Sequence, residues 1–200
     1  MIQKQLFIVI LSVFGLKLMA QVDGKNQAIS DFSVSIHSHN IAFPMGSLSF
    51  QNWGILLNCT HSIKSTGPNC LSIPINIDYF NHQDYGQGIS LDAGIQYKYL
   101  SKTGLFISAY LGVGYLQSFE RKSVFFFSDG QYSKKNDISL QSSLLVPLSF
   151  HLGYKFRKSN ISAFIGYRWS VQYPYFIDDF PILPHGMALV GVGIPLQINN

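Results

Sequence analysis

From Leu71 onward, apolar side chains recur at every second position, the period that places them on one face of a β-strand. The runs are Leu71–Tyr79, Ile89–Tyr99, Leu105–Tyr115, Leu144–Phe156, Ile161–Tyr173 and Ala188–Ile198. Their 37 alternate positions are all apolar or aromatic, while the 31 positions between them hold only five apolar residues: Phe106, Tyr110, Leu145, Phe164 and Leu189. Weaker alternation at Phe32–His37 and Trp53–Asn58, with Leu56 out of step, brings the number of expected strands to eight. They are placed at 28–39, 48–61, 71–82, 88–100, 104–119, 142–156, 160–172 and 186–198. The fold class predicted is all-β, an antiparallel up-and-down barrel.

Alternation fits either a soluble barrel with an apolar interior or a membrane barrel that turns its apolar face to lipid. Charge separates the two. The polar face carries five charges, Asp78, Asp92, Lys98, Lys155 and Arg168, among its 31 positions. A water-exposed face would carry roughly twice that share. Gly94, Gly112, Gly114, Gly153, Gly166, Gly191 and Gly193 all fall on the same face, as a narrow interior requires.

Connection lengths alternate as well. Of those after strands 2, 4 and 6 (Ser62–Cys70, Ser101–Thr103, Arg157–Ser159), two are tight and contain Lys or Arg, and the longest connection, Glu120–Gln141, lies at the other end with Pro174–His185. That is the parity of a barrel with both termini in the periplasm. Aromatics gather at the strand ends, with Tyr79, Tyr115, Tyr167, Trp169 and Tyr173 at one rim. Tyr97, Tyr99, Tyr154 and Phe156 sit at the other, as interfacial girdles demand.

Residues 1–20 read as a secretory signal peptide, with Lys4 before an apolar stretch from Leu6 to Leu16 and Ala20 at the cut. The remaining chain, 21–200, is then one barrel domain. Loss of Lys4 and Lys17 lowers the formal charge from +4 to +2, which argues against a nucleic-acid partner. Over residues 28–198 the chain resembles the small eight-stranded outer-membrane β-barrel proteins of Gram-negative bacteria. Gly193, Leu196 and Ile198 match the glycine–x–x–apolar–x–apolar ending that the barrel-assembly machinery reads in such proteins, with Asn199–Asn200 in place of the usual final aromatic. The resemblance implies an outer-membrane location, contact with lipid and lipopolysaccharide, passage through that machinery, and a monomer.

Candidate chemistry is sparse. Cys59 and Cys70, flanking an expected periplasmic turn in an oxidising compartment, are expected to form a disulfide. Asp78, Asp92, Lys98, His151, Lys155 and Arg168 are expected to pair within the lumen as a structural charge network, the alternative being an ion path. His37 and His39 share one strand face as polar lumen residues near the outer rim, and no third metal ligand is close in sequence. Neither a metal nor a cofactor is expected. An enzyme acting on lipid A would need Ser, His or a carboxylate on the lipid side. None occupies the 37 outward positions, which leaves His82, Asp84, Glu120, Asp178, Asp179 and His185 in the outer connections. Phe125–Phe127 before Asp129–Gly130 reads either as a β-ribbon presenting aromatics above the membrane or as ordinary strand extension. The expected role is structural or surface-interacting, through the connections at 120–141 and 174–185. The alternatives are a lipid A-modifying enzyme and, behind it, a narrow porin-like channel.

Overall fold

The alternating runs become eight strands in the computed structural model, which describes residues 30–41, 51–128, 131–175 and 181–196. They are β1 (Ser30–Asn40), β2 (Trp53–Thr66), β3 (Asn69–His82), β4 (Gly86–Leu100), β5 (Leu105–Ser128), β6 (Gln131–Lys155), β7 (Ser162–Tyr173) and β8 (Leu183–Leu196). Each pairs antiparallel with the next, and β1 pairs with β8 from Ser30↔Leu196 to Asn40↔Gly186, closing the barrel. Closure leaves no open edge through the wall, so backbone polar groups pair within the sheet, apart from breaks in the ladders beside Pro74 and Pro147. The expected signal peptide at 1–20 and the terminal Ile198 lie outside the described residues.

The two faces sort as the alternation requires. Ile36, Ile77, Ile95, Leu111, Val113, Ile165 and Val190 stand exposed on the outer wall. Ser35, Asn76, Asp78, Ser90, Asp92, Ser149, Arg168 and Gln172 are buried inside. Leu56, which breaks the pattern of its own strand, is an interior residue together with Phe106, Tyr110, Leu145 and Leu189. The bore is tight: a Cβ on Gly94 would lie 2.1 Å from the Leu111 carbonyl oxygen, so that rung admits no side chain.

One end has short turns, at 67–68, 101–104 and 156–161. Gly67 and Gly104 adopt φ of +59° and +101°, the left-handed region that glycine enters without a Cβ clash. At the other end β5 and β6 run further than the expected boundaries of 119 and 142. They stay paired without a register shift up to Ser128↔Gln131.

The β2–β3 hairpin corrects the expected disulfide. Its strands extend to a turn at Gly67–Pro68, so Cys59 pairs with Ile75 and Cys70 with Ser65. Five residues separate Ile75 from Cys70, roughly 16 Å along a strand. Cys59 shares the face of exposed Leu57, whereas Cys70 lies on the face opposite Leu71, with its Sγ 3.5 Å from Ser62 Oγ. Both are free thiols. The expectation failed because it treated 62–70 as a loop that brings the cysteines face to face.

Candidate functional site

The chemistry-bearing side chains are gathered inside the barrel, because alternation sends most polar residues of the wall there. At the short-turn end, Lys98 Nζ lies 3.6 Å from Asp31 Oδ2 and caps the face of the Phe106 ring at 4.5 Å from its centroid. Above them is a cavity of about 60 Å3, lined by Ser35, Asn58, Asn76, Gln96, Tyr110 and Ser149 among others. That volume holds a handful of waters and no larger solute. His151 lies beside it, its Nδ1 3.3 Å from Ser108 Oγ.

Midway up the bore, Arg168 and Asp92, both 1% exposed, form a buried ion pair between Arg168 Nη2 and Asp92 Oδ2. Asp92 Oδ1 also accepts hydrogen bonds from Asn76 Nδ2 at 2.8 Å and from the Tyr110 hydroxyl. The carboxylate therefore receives donors on both oxygens, the condition under which a charge survives burial.

The outer third is built from imidazoles. His37 Nε2 sits 2.7 Å from Asp78 Oδ1, pairing β1 with β3. Beyond it a directional chain of hydrogen bonds crosses from β1 to β6. The Ser143 hydroxyl donates to the Pro174 carbonyl at 2.9 Å, so its oxygen is left to accept from Gln172 Nε2, also at 2.9 Å. That orients the Gln172 amide with Oε1 towards His185 Nε2 and the Tyr85 hydroxyl, each at 3.0 Å. An amide oxygen only accepts, so His185 donates from Nε2, and its neutral ring accepts at Nδ1. His39 Nε2, 3.0 Å away, is the donor there. The chain fixes both tautomers and ties β1, β7 and β8 to the β3–β4 turn.

Over this chain lies an apolar plug of Phe80, Tyr85, Leu116 and Leu145, all nearly inaccessible to solvent. The His39 ring stacks on Phe80 at 4.0 Å and 12°. Tyr85, from the three-residue turn between β3 and β4, folds back into the mouth to complete the plug. The bore thus keeps a small cavity in its inner half and is filled with side chains in its outer half.

Of the expected lumen set, the structure joins Asp92 to Arg168, but it gives Asp78 to His37 and Lys98 to Asp31. Lys155 is half-buried at the inner rim, apart from these pairs. His82 and His185 are not on the lipid side. Both are buried inside the mouth, where His82 Nδ1 accepts the backbone N–H groups of Asp84 and Tyr85 at 3.3 and 3.2 Å. Glu120, Asp178 and Asp179 lie outside the side chains that the structure describes. Among the described residues, no three His, Cys, Asp or Glu side chains are arranged to hold a metal ion. The Tyr85–Gln172–His185–His39 chain was missed by the sequence reading. Its local signals were the interior positions of His39 and Gln172, which named no partner for either.

No protein-family model matches the chain, and no curated protein matches it in sequence. Solved structures do match. Neisserial surface protein A superposes with a TM-score of 0.57 and 10% identity, covering 87% of this chain and 100% of that one. The attachment invasion locus protein Ail of Yersinia pestis superposes with a TM-score of 0.50 and 11% identity, covering 86% and 100%. The fold is that of the small eight-stranded outer-membrane barrels. At such low identity the likeness concerns the architecture, and residue roles rest on the geometry above.

Proposed function

We propose that this chain is an integral outer-membrane barrel that works at the cell surface, through the β5–β6 ribbon and the connection at 174–185. The ribbon is the observation that carries this reading. Phe119, opposite Gln87, is the last β5 residue paired with β4, and Leu144, opposite Tyr173, is the last β6 residue paired with β7. Nine further β5–β6 pairs, from Glu120↔Ser139 to Ser128↔Gln131, stand above both neighbouring strands. At about 3.3 Å per residue they reach roughly 30 Å beyond the wall. They carry two open strand edges and the cross-strand pair Phe127↔Tyr132 near the tip.

The filled outer half of the bore supports this reading over the channel. The burial of His82 and His185 within the mouth weighs against lipid A chemistry on the outer wall.

The proposal is tested in two steps. Trypsin added to intact cells is expected to cut at Arg121, Lys122, Lys134 or Lys135 and to leave the barrel heat-modifiable on gels. Vesicles carrying the full chain are then compared with vesicles carrying a barrel in which 121–138 are replaced by a tight Asn-Gly turn, on arrayed matrix proteins, serum proteins and glycans. Binding lost with the ribbon supports the reading. Equal binding by both barrels, or a ribbon protected in intact cells, overturns it.

A further inference from the structure

Charge is sorted between the two ends of the barrel in a way that lumen packing does not explain. At the short-turn end, Lys64, Lys102, Arg157 and Lys158 are exposed and Lys155 is half-buried. Among the described residues the one carboxylate at this end is Asp31, and it already faces Lys98 at 3.6 Å. Among the described residues the rim therefore carries a cationic surplus.

The three turns that hold these cations are fastened together. Leu100 N–H donates to the Pro68 carbonyl, and Lys155 N–H to the Gly104 carbonyl, both at 2.8 Å. The Arg157 guanidinium donates to the Lys102 carbonyl, which sets the β4–β5 and β6–β7 turns side by side. These bonds gather the turns on one rim, and like charges on one rim add their potentials over about a Debye length.

Height along the wall identifies what they meet. Tyr97, Tyr99, Tyr154 and Phe156 are exposed aromatics on the outer wall at this end. Lys102 follows Tyr99 by three residues, and Arg157 and Lys158 directly follow Phe156. Aromatic rings of this kind mark the boundary between acyl chains and headgroups, so the next residues outward stand among the headgroups.

We propose that this rim is a binding surface for the anionic headgroups of phospholipids in the leaflet at the short-turn end. The surface rests on the membrane-barrel reading and adds a partner to it. Arg157 and Lys102 form its centre, Lys158 and Lys64 its flanks, and the aromatic girdle holds the cations at phosphate level. By the expected orientation that leaflet is the periplasmic one.

The test uses the full barrel in phosphatidylcholine vesicles containing a trace of spin-labelled phosphatidylglycerol or spin-labelled phosphatidylcholine. Electron spin resonance reads the fraction of each probe that the protein slows. At low salt the anionic probe is expected to be enriched roughly two- to fourfold, with the ratio falling towards one in about 1 M salt. The K64Q/K102Q/R157Q/K158Q variant should lose the same enrichment. If it is not heat-modifiable, K64Q/K158Q keeps the Arg157–Lys102 bond and should lose part of it. A ratio near one in the unaltered protein, or a ratio that the substitutions leave unchanged, overturns the proposal. So does an unchanged ratio accompanied by loss of sedimentation with purified cell-wall sacculi, which reassigns the rim to an acidic wall polymer. If neither probe is slowed, the barrel is not in the bilayer, and the membrane reading itself fails.

Discussion

Replacing Arg168 with methionine tests the centre of the lumen most directly. The guanidinium and the Asp92 carboxylate are each 1% exposed and pair on one carboxylate oxygen, while Asn76 and Tyr110 donate to the other. Methionine fills much of the same volume but leaves Asp92 as a buried anion with two neutral donors. Removing one partner of a buried pair costs about 3–5 kcal/mol. Asp92→Leu strands Arg168 instead and should cost a similar amount. The double substitution removes both charges, leaving only Asn76 and Tyr110 without their acceptor, about 1–3 kcal/mol each. The cycle should therefore show a coupling of several kcal/mol, with the double variant no worse than the harsher single one. Urea unfolding of the micelle-folded barrel measures it, read by tryptophan fluorescence and the heat-dependent gel shift. Trp53 and Trp169 report without disturbing the pair, since Trp53 is exposed on the outer wall and the Trp169 ring packs at a tilt against Tyr167, another outer-girdle residue. A loss below about 1 kcal/mol for Arg168→Met would refute the reasoning, as would a double variant equal to the sum of the singles.

Other outcomes follow from the same geometry. Protein purified without reductant should take up two iodoacetamide adducts once unfolded, one each at Cys59 and Cys70. A mass showing none until reduction would restore the disulfide. Gly88→Ala should destabilise by about 1–3 kcal/mol in the same unfolding assay, because its Cβ would meet Phe80 Cζ at 2.2 Å inside the plug. An unchanged midpoint would show that the plug is loosely packed. In planar bilayers the intact barrel should show no sustained conductance, while Phe80→Ala with Tyr85→Ala should open the mouth to small ions. Steady current through the unaltered barrel would favour the channel reading.

Local sequence determined most of the architecture. The period of two is set by the backbone of each strand by itself, so it marks the lipid face, the interior face and even the interior parity of Leu145 and Arg168 without knowledge of any neighbour. Turn length and the sorting of aromatics to strand ends are equally local, and the expected orientation of the barrel rests on them. The segment at Phe125–Phe127, read either as a β-ribbon or as strand extension, is paired strand up to Ser128↔Gln131, although weaker alternation put the expected strand bounds at 119 and 142.

Partnership inside the bore was decided only by the closed tertiary structure. Asp92 and Arg168 are 76 residues apart and His39 and His185 are 146 apart. Alternation places each of these residues on the interior face but says nothing of its height relative to a strand elsewhere in the ring. That height is set by the stagger accumulated as eight tilted strands close on themselves, a property of the whole circuit. The two cysteines divide between these causes: local alternation already sends Cys59 outward and Cys70 inward, and the turn at Gly67–Pro68 sets how far apart they lie along the hairpin. The composition named the residues in the lumen, and the shear of the barrel chose their partners.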